Sequence, residues 1–368
     1  MSVRNLIREN VPLAALTTLG VGGPARFFLD AADEETAHQG LAWASSQGLS
    51  TAVIGGGSNV LVSDRGFDGL VLRVRIGGVK EVAGSSSEAP GHVWLEIGAG
   101  EELDPLVERC ARAGYGGIEC LSGIPGYVGA TPIQNVGAYG QEIGERIVSV
   151  RTMHRATYGT EVFDNAACRF TYRSSIFKHE WKGSYVVLGI TLSLLRDGVP
   201  VLRYPELARE LAARGTDPLS LLAVREGVLA IRRSKSMVIE AGDPNRNSAG
   251  SFFVNPLVTE RMADAIEEKA QREGETRRMP RFAAESGVKL SAAWLIEHTG
   301  FAKGTSDGPV GISTRHALAI VNRGGATAAQ IFDFARKVRD AVHSRFGVSL
   351  VHEPVLVGFS ADEERALT

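Results

Sequence analysis

Apolar and polar residues recur with two different periods along this chain, and the change of period divides it. Over 34–47, Ala37, Leu41 and Ala44 fall on one side of a helix. The stretch "STAVIGGGSNVLVSD" reads as strand, glycine loop, strand, with further strands over 25–29 and 69–74. "GVKEVAG" and "HVWLEIGAG" predict a hairpin whose polar tip is 84–91. A helix follows in "LDPLVERCARAGYGG", with Leu103, Leu106, Val107 and Cys110 on one side and Gly114 at its end. Residues 120–140 are rich in Gly and Pro with few charges, which predicts a long irregular loop packed against something. Strands return in "IVSVRTMH", "EVFD" and "YVVLGITLSLL".

Beyond Gly198 the pattern changes. Helices are predicted in "YPELARELAARG", "SLLAVREGVLAIRRSK", "PLVTERMADAIEEKAQREG", "SAAWLIEHTG" and "TAAQIFDFARKVRDAVHSRFG". "HALAIVNRGG" reads as strand and turn, and "VSLVHEPVLVGF" as a closing strand. A strand-heavy first half and an α+β second half place a boundary near 196–200, and no repeat of solenoid period is present. A length of 368 residues predicts about two or three domains.

Composition narrows the function classes. A net charge of −2 supplies no basic field for nucleic acid or anionic lipid. No apolar run is long enough to span a membrane, and no signal-peptide core opens the chain. Cys110, Cys120 and Cys168 are too scattered for a disulfide framework or a zinc site, which predicts a reducing, cytoplasmic setting and no metal. The 43 glycines matter more, because they cluster at strand ends, where backbone can approach an extended ligand.

Each candidate site has a plain reading beside it. In "VIGGGSNVLVSD", Gly55, Gly56, Gly57, Ser58 and Asn59 can form a phosphate pocket of N–H groups and a hydroxyl, or a simple turn. The loop is neither a Walker A nor a Rossmann motif, since strand rather than helix follows. "GIPGYVGATPIQNVGAYGQEIG" offers a second set of N–H groups, as a large dinucleotide would need. Arg173 suits a carboxylate or a plain surface position. Arg225, Arg232, Arg233 and Lys235 either complement a helix dipole or hold an anionic substrate. Glu353 sits among Val and Leu, so it is either a perturbed carboxyl or a strand-edge residue facing water. Ser251 lies outside any GxSxG elbow, which argues against a nucleophile and leaves a turn or cap serine.

Together these stretches resemble the UDP-N-acetylenolpyruvoylglucosamine reductase family in its long-loop subtype. The resemblance is carried in order by "TTLGVGGPA", "GGGSNVLV", "GIPGYVGATPIQNVGAYG", "YRSSIFK", "RSK", "NSAGSFFVNP", "AAWLIEHTGFAKG" and "HEPVLVG". It implies an α+β fold, with a two-part FAD-binding domain of the vanillyl-alcohol-oxidase (PCMH) type followed by a C-terminal α+β substrate-binding domain. The implied parts are 1–70, 71–197 and 198–350, with the closing strand 351–360 returning to the first. It implies non-covalent FAD, NADPH as reductant, UDP-N-acetylglucosamine enolpyruvate as substrate, and a monomer. Flavin N5 would deliver hydride to C3, and Ser251 a proton to C2. Arg173 and Glu353 would attend the developing charge, with Glu353 protonated by its apolar setting. Gly55, Gly56, Gly57, Ser58, Asn59, Ser122, Gly123, Gly129 and Thr131 match the flavin loops. Tyr172, Tyr204, Lys235 and Asn255 match substrate positions. The chain departs from the family pattern at Tyr127, where a small residue or cysteine is common, at Val355, where some members carry arginine, and at His316, where some carry glutamine. Two other classes are open: an oxidase with covalent flavin, and a non-catalytic nucleotide-binding protein.

Overall fold

The computed structural model describes residues 3–83, 91–284 and 287–367. Of the predicted hairpin tip, 84–91, residues 84–90 lie outside them. The chain divides into two compact units, the first Met1–Val11, Ala25–Gly57 and Phe67–Val238, the second Pro12–Pro24, Ser58–Gly66 and Ile239–Thr368. The boundary therefore falls 40 residues beyond the composition break expected at 198.

In the first unit, the strands Pro24–Ala31, Phe67–Val74 and Ser50–Ile54 pair in parallel, with Arg8–Pro12 at the edge. Helix Glu34–Ser46 connects two of them, with Ala37, Leu41 and Ala44 buried as the period requires. Its N-terminus is capped by Asp33, which accepts the Thr36 N–H at 2.7 Å. An antiparallel sheet follows, in the order Thr160–Asp164, Ile147–His154, Tyr185–Arg196, His92–Gly98, Val79–Val82. Its central strand is buried almost throughout, because both of its faces are covered.

Helices Pro205–Arg214 and Leu221–Ser234 belong to this unit for an electrostatic reason. Arg225, 5% exposed, forks onto Asp104 of helix Leu103–Arg112, with Nη2 3.0 Å from Oδ2, and reaches Glu108 at 3.2 Å. The same carboxylate accepts the Gly123 N–H at 2.6 Å. Burial raises the Asp104 carboxyl, but the Arg225 hydrogen bonds, the Gly123 N–H and the charges of Arg225 and Arg232 outweigh it and hold the group below its ordinary range.

The second unit is built on helix Ala328–Phe346, whose Ile331, Phe334, Ala335, Val338 and Val342 are buried. A capping box between Thr327 and Gln330 starts it, and Gly347 at φ +68° ends it. Asp64 accepts the Ala328 and Ala329 N–H groups, each at 2.8 Å. Two small antiparallel sheets accompany this helix, one of Leu257–Val258, Gly287–Leu290 and Arg281–Ala284, the other of Ser306–Asp307, Val310–Ile312 and Ile320–Asn322. The closing strand is shorter than expected. Only Val355–Val357 pairs regularly, in parallel with Val60–Val62. The helix predicted from Pro256 starts at Glu260, because Thr259 caps it and Leu257–Val258 joins a sheet instead.

Two outcomes follow. Asp64→Ala should lower the stability of the second unit by about 1–2 kcal/mol in chemical denaturation, the range for a lost helix cap. The contribution of Asp104, whose carboxyl is lowered by folding, is complete above about pH 4 and lost as pH falls through the lowered value. Asp104→Asn should therefore destabilise at pH 7 by about 2–3 kcal/mol, by leaving Arg225 underpaired, and should flatten the acid limb of the stability profile.

Candidate functional site

Of Gly55, Gly56 and Gly57, only Gly57 has positive φ, at +66°. The other two are glycine for space. A Cβ on Gly56 would lie 2.9 Å from Gly126 Cα and 3.3 Å from Tyr127 Cδ1, and one on Gly55 would lie 3.5 Å from Tyr127 Cβ. The two glycine loops expected from the sequence thus meet within the first unit. The second loop is fastened from behind. Gly129 donates to Ala99 O at 2.8 Å, and a Cβ there would stand 2.5 Å from Ala99 Cβ. The hydroxyl of Ser122 donates to Glu119 O at 2.6 Å, and that of Thr131 to Val128 O at 2.8 Å. The N–H groups of Gly123 and Gly129 and the hydroxyls of Ser122 and Thr131 are thus used inside the fold and shape the loop.

These loops have traits that suit a flavin nucleotide: closely packed glycine backbone, and a buried positive group. Arg232, 5% exposed, donates to Gly123 O at 3.2 Å and Met237 O at 2.8 Å, while its Nε has no hydrogen-bond partner among the described residues. Burial lowers its pKa, and the charges of Tyr139 and Asp104 act against that. A buried guanidinium with only carbonyl partners suits an electron-rich ligand.

Arg173 stands at the tip of a tight turn in which Thr171 and Ser174 exchange backbone hydrogen bonds. Its φ of 53° is a strained conformation for arginine. Nη2 donates to Gly137 O at 2.7 Å, the guanidinium lies 5.4 Å from the Tyr172 ring, and Lys178 Nζ donates to Arg173 O at 2.8 Å. Asn135 holds the turn through Nδ2 to Thr171 O at 3.0 Å. Tyr172 itself is exposed.

Tyr204 opens helix Pro205–Arg214 and meets Tyr139 edge-on, ring centroids 5.6 Å apart. Lys235 reaches Glu206 at 2.7 Å. Burial pushes the Tyr139 phenol up to about 12 and raises that of Tyr204 too, each with help from Glu206. Tyr139 escaped notice in the sequence. Its signal was a tyrosine directly before Gly140 in a glycine-rich loop, and its φ is 49°.

Ser251 and Glu353 come together in the second unit. Segment 252–254 lies beside 351–353: Glu353 donates to Phe252 O at 2.8 Å, Val254 to Val351 O at 3.0 Å, and Phe253 bridges His352. Gly250, at φ +72°, turns the chain just before Ser251. Asn59 joins the group by accepting the Val355 N–H at 2.9 Å and donating to Glu353 O at 3.3 Å, so a residue assigned to the cofactor loop abuts one assigned to catalysis. Ser58 is half-buried next to it in the chain. Asn255 accepts the Ala292 N–H at 2.9 Å, which anchors its amide at the start of helix Ala292–Glu297. Glu353 is half-buried, between the exposed Val351 and Val355 and the buried Pro354 and Leu356. Arg173 belongs to the first unit, Ser251 and Glu353 to the second.

Comparison with known proteins adds what geometry alone does not. A family model for the C-terminal domain of UDP-N-acetylenolpyruvoylglucosamine reductase matches 243–357, and one for an FAD binding domain matches 25–157. The UDP-N-acetylenolpyruvoylglucosamine reductase of Thermobifida fusca is 45% identical over 353 residues, covering 95% of this chain and 98% of that protein. The one from Saccharopolyspora erythraea is 46% identical over 353 residues and covers 94% of each. The crystal structure of the Thermus caldophilus enzyme superposes with a TM-score of 0.63 at 26% identity, over 95% of this chain and 99% of that one.

Proposed function

The chain belongs to the UDP-N-acetylenolpyruvoylglucosamine reductase family, and from that premise we propose that it reduces the enolpyruvyl ether of UDP-N-acetylglucosamine enolpyruvate to the lactyl ether, giving UDP-N-acetylmuramate for peptidoglycan. Its fold is α+β, an FAD-binding domain of the PCMH type followed by the family's C-terminal domain, and the chain is an FAD-binding oxidoreductase. The finer parts of the reading are NADPH as reductant, non-covalent FAD, a monomer, a cytoplasmic location, and the division of roles among 1–70, 71–197 and 198–350.

The observation that carries the proposal is the backbone pairing of 252–254 with 351–353, which brings together the segments that carry Ser251 and Glu353, in a chain matched over 95% of its length by a reductase 45% identical to it. Bound FAD supplies hydride transfer from NADPH to C3 of the enol ether. Ser251 gives its hydroxyl proton to C2, so that hydride and proton together saturate the double bond, and the serine oxygen is reprotonated from water. Charge develops at C2 beside the substrate carboxylate, where Arg173 supplies a fixed positive partner and Glu353 helps to orient the group. The strained backbone of Arg173, over-determined by Gly137, Lys178 and Asn135, fits a side chain that must be held ready before substrate arrives. Tyr204, Tyr172, Lys235 and Asn255 are the substrate-side residues of this reading. Asn255 contributes through the amide geometry that Ala292 fixes.

Non-covalent flavin is supported by residue chemistry. "GGGSN" offers no His or Cys. Burial pushes the thiols of Cys110, Cys120 and Cys168 up to about 12, so none is a ready nucleophile. Among the described residues no helix is long and apolar enough to cross a membrane, and no group of His, Cys, Asp and Glu could hold a metal.

The purified protein should be yellow, lose its colour to acid precipitation, and bleach with NADPH under anaerobic conditions. A colourless protein, or flavin that NADPH leaves oxidised, would overturn the reading. Ser251→Ala should keep bleaching by NADPH while reoxidation by the enolpyruvyl substrate falls about 10²–10⁴-fold, the range for a lost general acid. Equal loss of both half-reactions would point to flavin loss instead.

A further inference from the structure

Tyr127 lies in the second glycine loop, and the backbone of both loops is packed around its side chain. Gly126–Tyr127 is clamped on one side by residues 99–103: Leu103 donates to Gly126 O at 3.0 Å, Tyr127 bridges Glu102, and Val128 donates to Glu101 O at 2.8 Å. On the other side the tyrosine covers Gly55 and Gly56, neither of which has positive φ. A Cβ on Gly56 would meet both the Gly126 backbone and the Tyr127 ring, so the glycine is there to admit them. The ring therefore forms a wall shared by the two glycine loops. Tyr127 is half-buried, and its hydroxyl makes no hydrogen bond among the described residues. A tyrosine with its body packed and its hydroxyl unpaired is a poised donor for a ligand oxygen.

We infer that Tyr127 is a cofactor-retaining residue: its ring closes the seam between the loops, and its phenol donates a hydrogen bond to a phosphoryl or hydroxyl oxygen of the bound nucleotide. This rests on the FAD reading above, to which Tyr127 adds a side-chain contact from the second glycine loop. The residue holds the cofactor and takes no part in the hydride or proton step.

The test is FAD dissociation from the holoenzyme, followed by the recovery of flavin fluorescence, in wild type, Tyr127→Phe and Tyr127→Ser. Tyr127→Phe keeps the ring and loses the donor, so FAD should be held about tenfold more weakly, with the circular dichroism of wild type. Tyr127→Ser loses ring and donor, and the weakening should reach about a hundredfold. A Tyr127→Phe protein that holds FAD as tightly as wild type would overturn the inference while leaving the flavoenzyme reading intact. Wild-type protein that binds no FAD would overturn both.

Discussion

One carboxylate fixes the geometry on which the first unit depends. Asp104 takes the fork of Arg225 and the N–H of Gly123 at once, and so joins two helices and the second glycine loop at a single point. Alone, a half-buried aspartate would be unfavourable, and so would an arginine as buried as Arg225. Paired, with the loop N–H as third partner, each satisfies the other, and the loop cannot shift without exposing both charges to an unfavourable setting. Arg232, two turns further along the same face of the helix, holds the carbonyl side of the same glycine. Gly123 is thereby gripped at both its N–H and its C=O by charged side chains, which explains how a loop so rich in glycine keeps one conformation.

Much of this was legible in the sequence where a period was long enough to read. The helices Glu34–Ser46, Leu103–Arg112 and Ala328–Phe346 follow from apolar spacing, and the strands Ser50–Ile54 and Val60–Val62 on either side of "GGGSN" from strand, loop, strand, although each pairs with a different partner strand. What escaped was set by partners far along the chain. The stretch 199–238 differs in composition from what precedes it, yet it packs with the first unit because Arg225 finds Asp104, 121 residues away. "VSLVHEPVLVGF" has the content of one long strand, but Val351 is half exposed and regular pairing is confined to Val355–Val357. Around Glu353 the apolar residues divide, Leu350, Pro354 and Leu356 being buried and Val351 and Val355 exposed, since burial depends on what covers a strand as well as on what it contains.

The site shows the same division. The residue types were readable, and their order pointed to a flavin and an enol ether. Their supports were not. Ser122, Gly123, Gly129 and Thr131 read as ligand contacts, yet their hydroxyls and N–H groups serve the loop itself. Asn59 read as part of a phosphate loop, yet its carbonyl and amide fasten the segment that carries Glu353. Such residues set the shape of the loop from within, and a single sequence gives no sign of the partner each one takes.

The parallel pairing of Val60–Val62 with Val355–Val357 sets a timetable for synthesis. Asn59 and Glu353 stand 294 residues apart, so at about 5–20 residues per second the early strand leaves the ribosome roughly 15–60 s before its partner exists. Through that interval an apolar edge waits unpaired, while the parallel strands of the first unit can already assemble around it. The segment that carries Glu353 is therefore among the last to find its partner, and a nascent chain that stalls before residue 350 leaves Val60–Val62 without the strand that covers it.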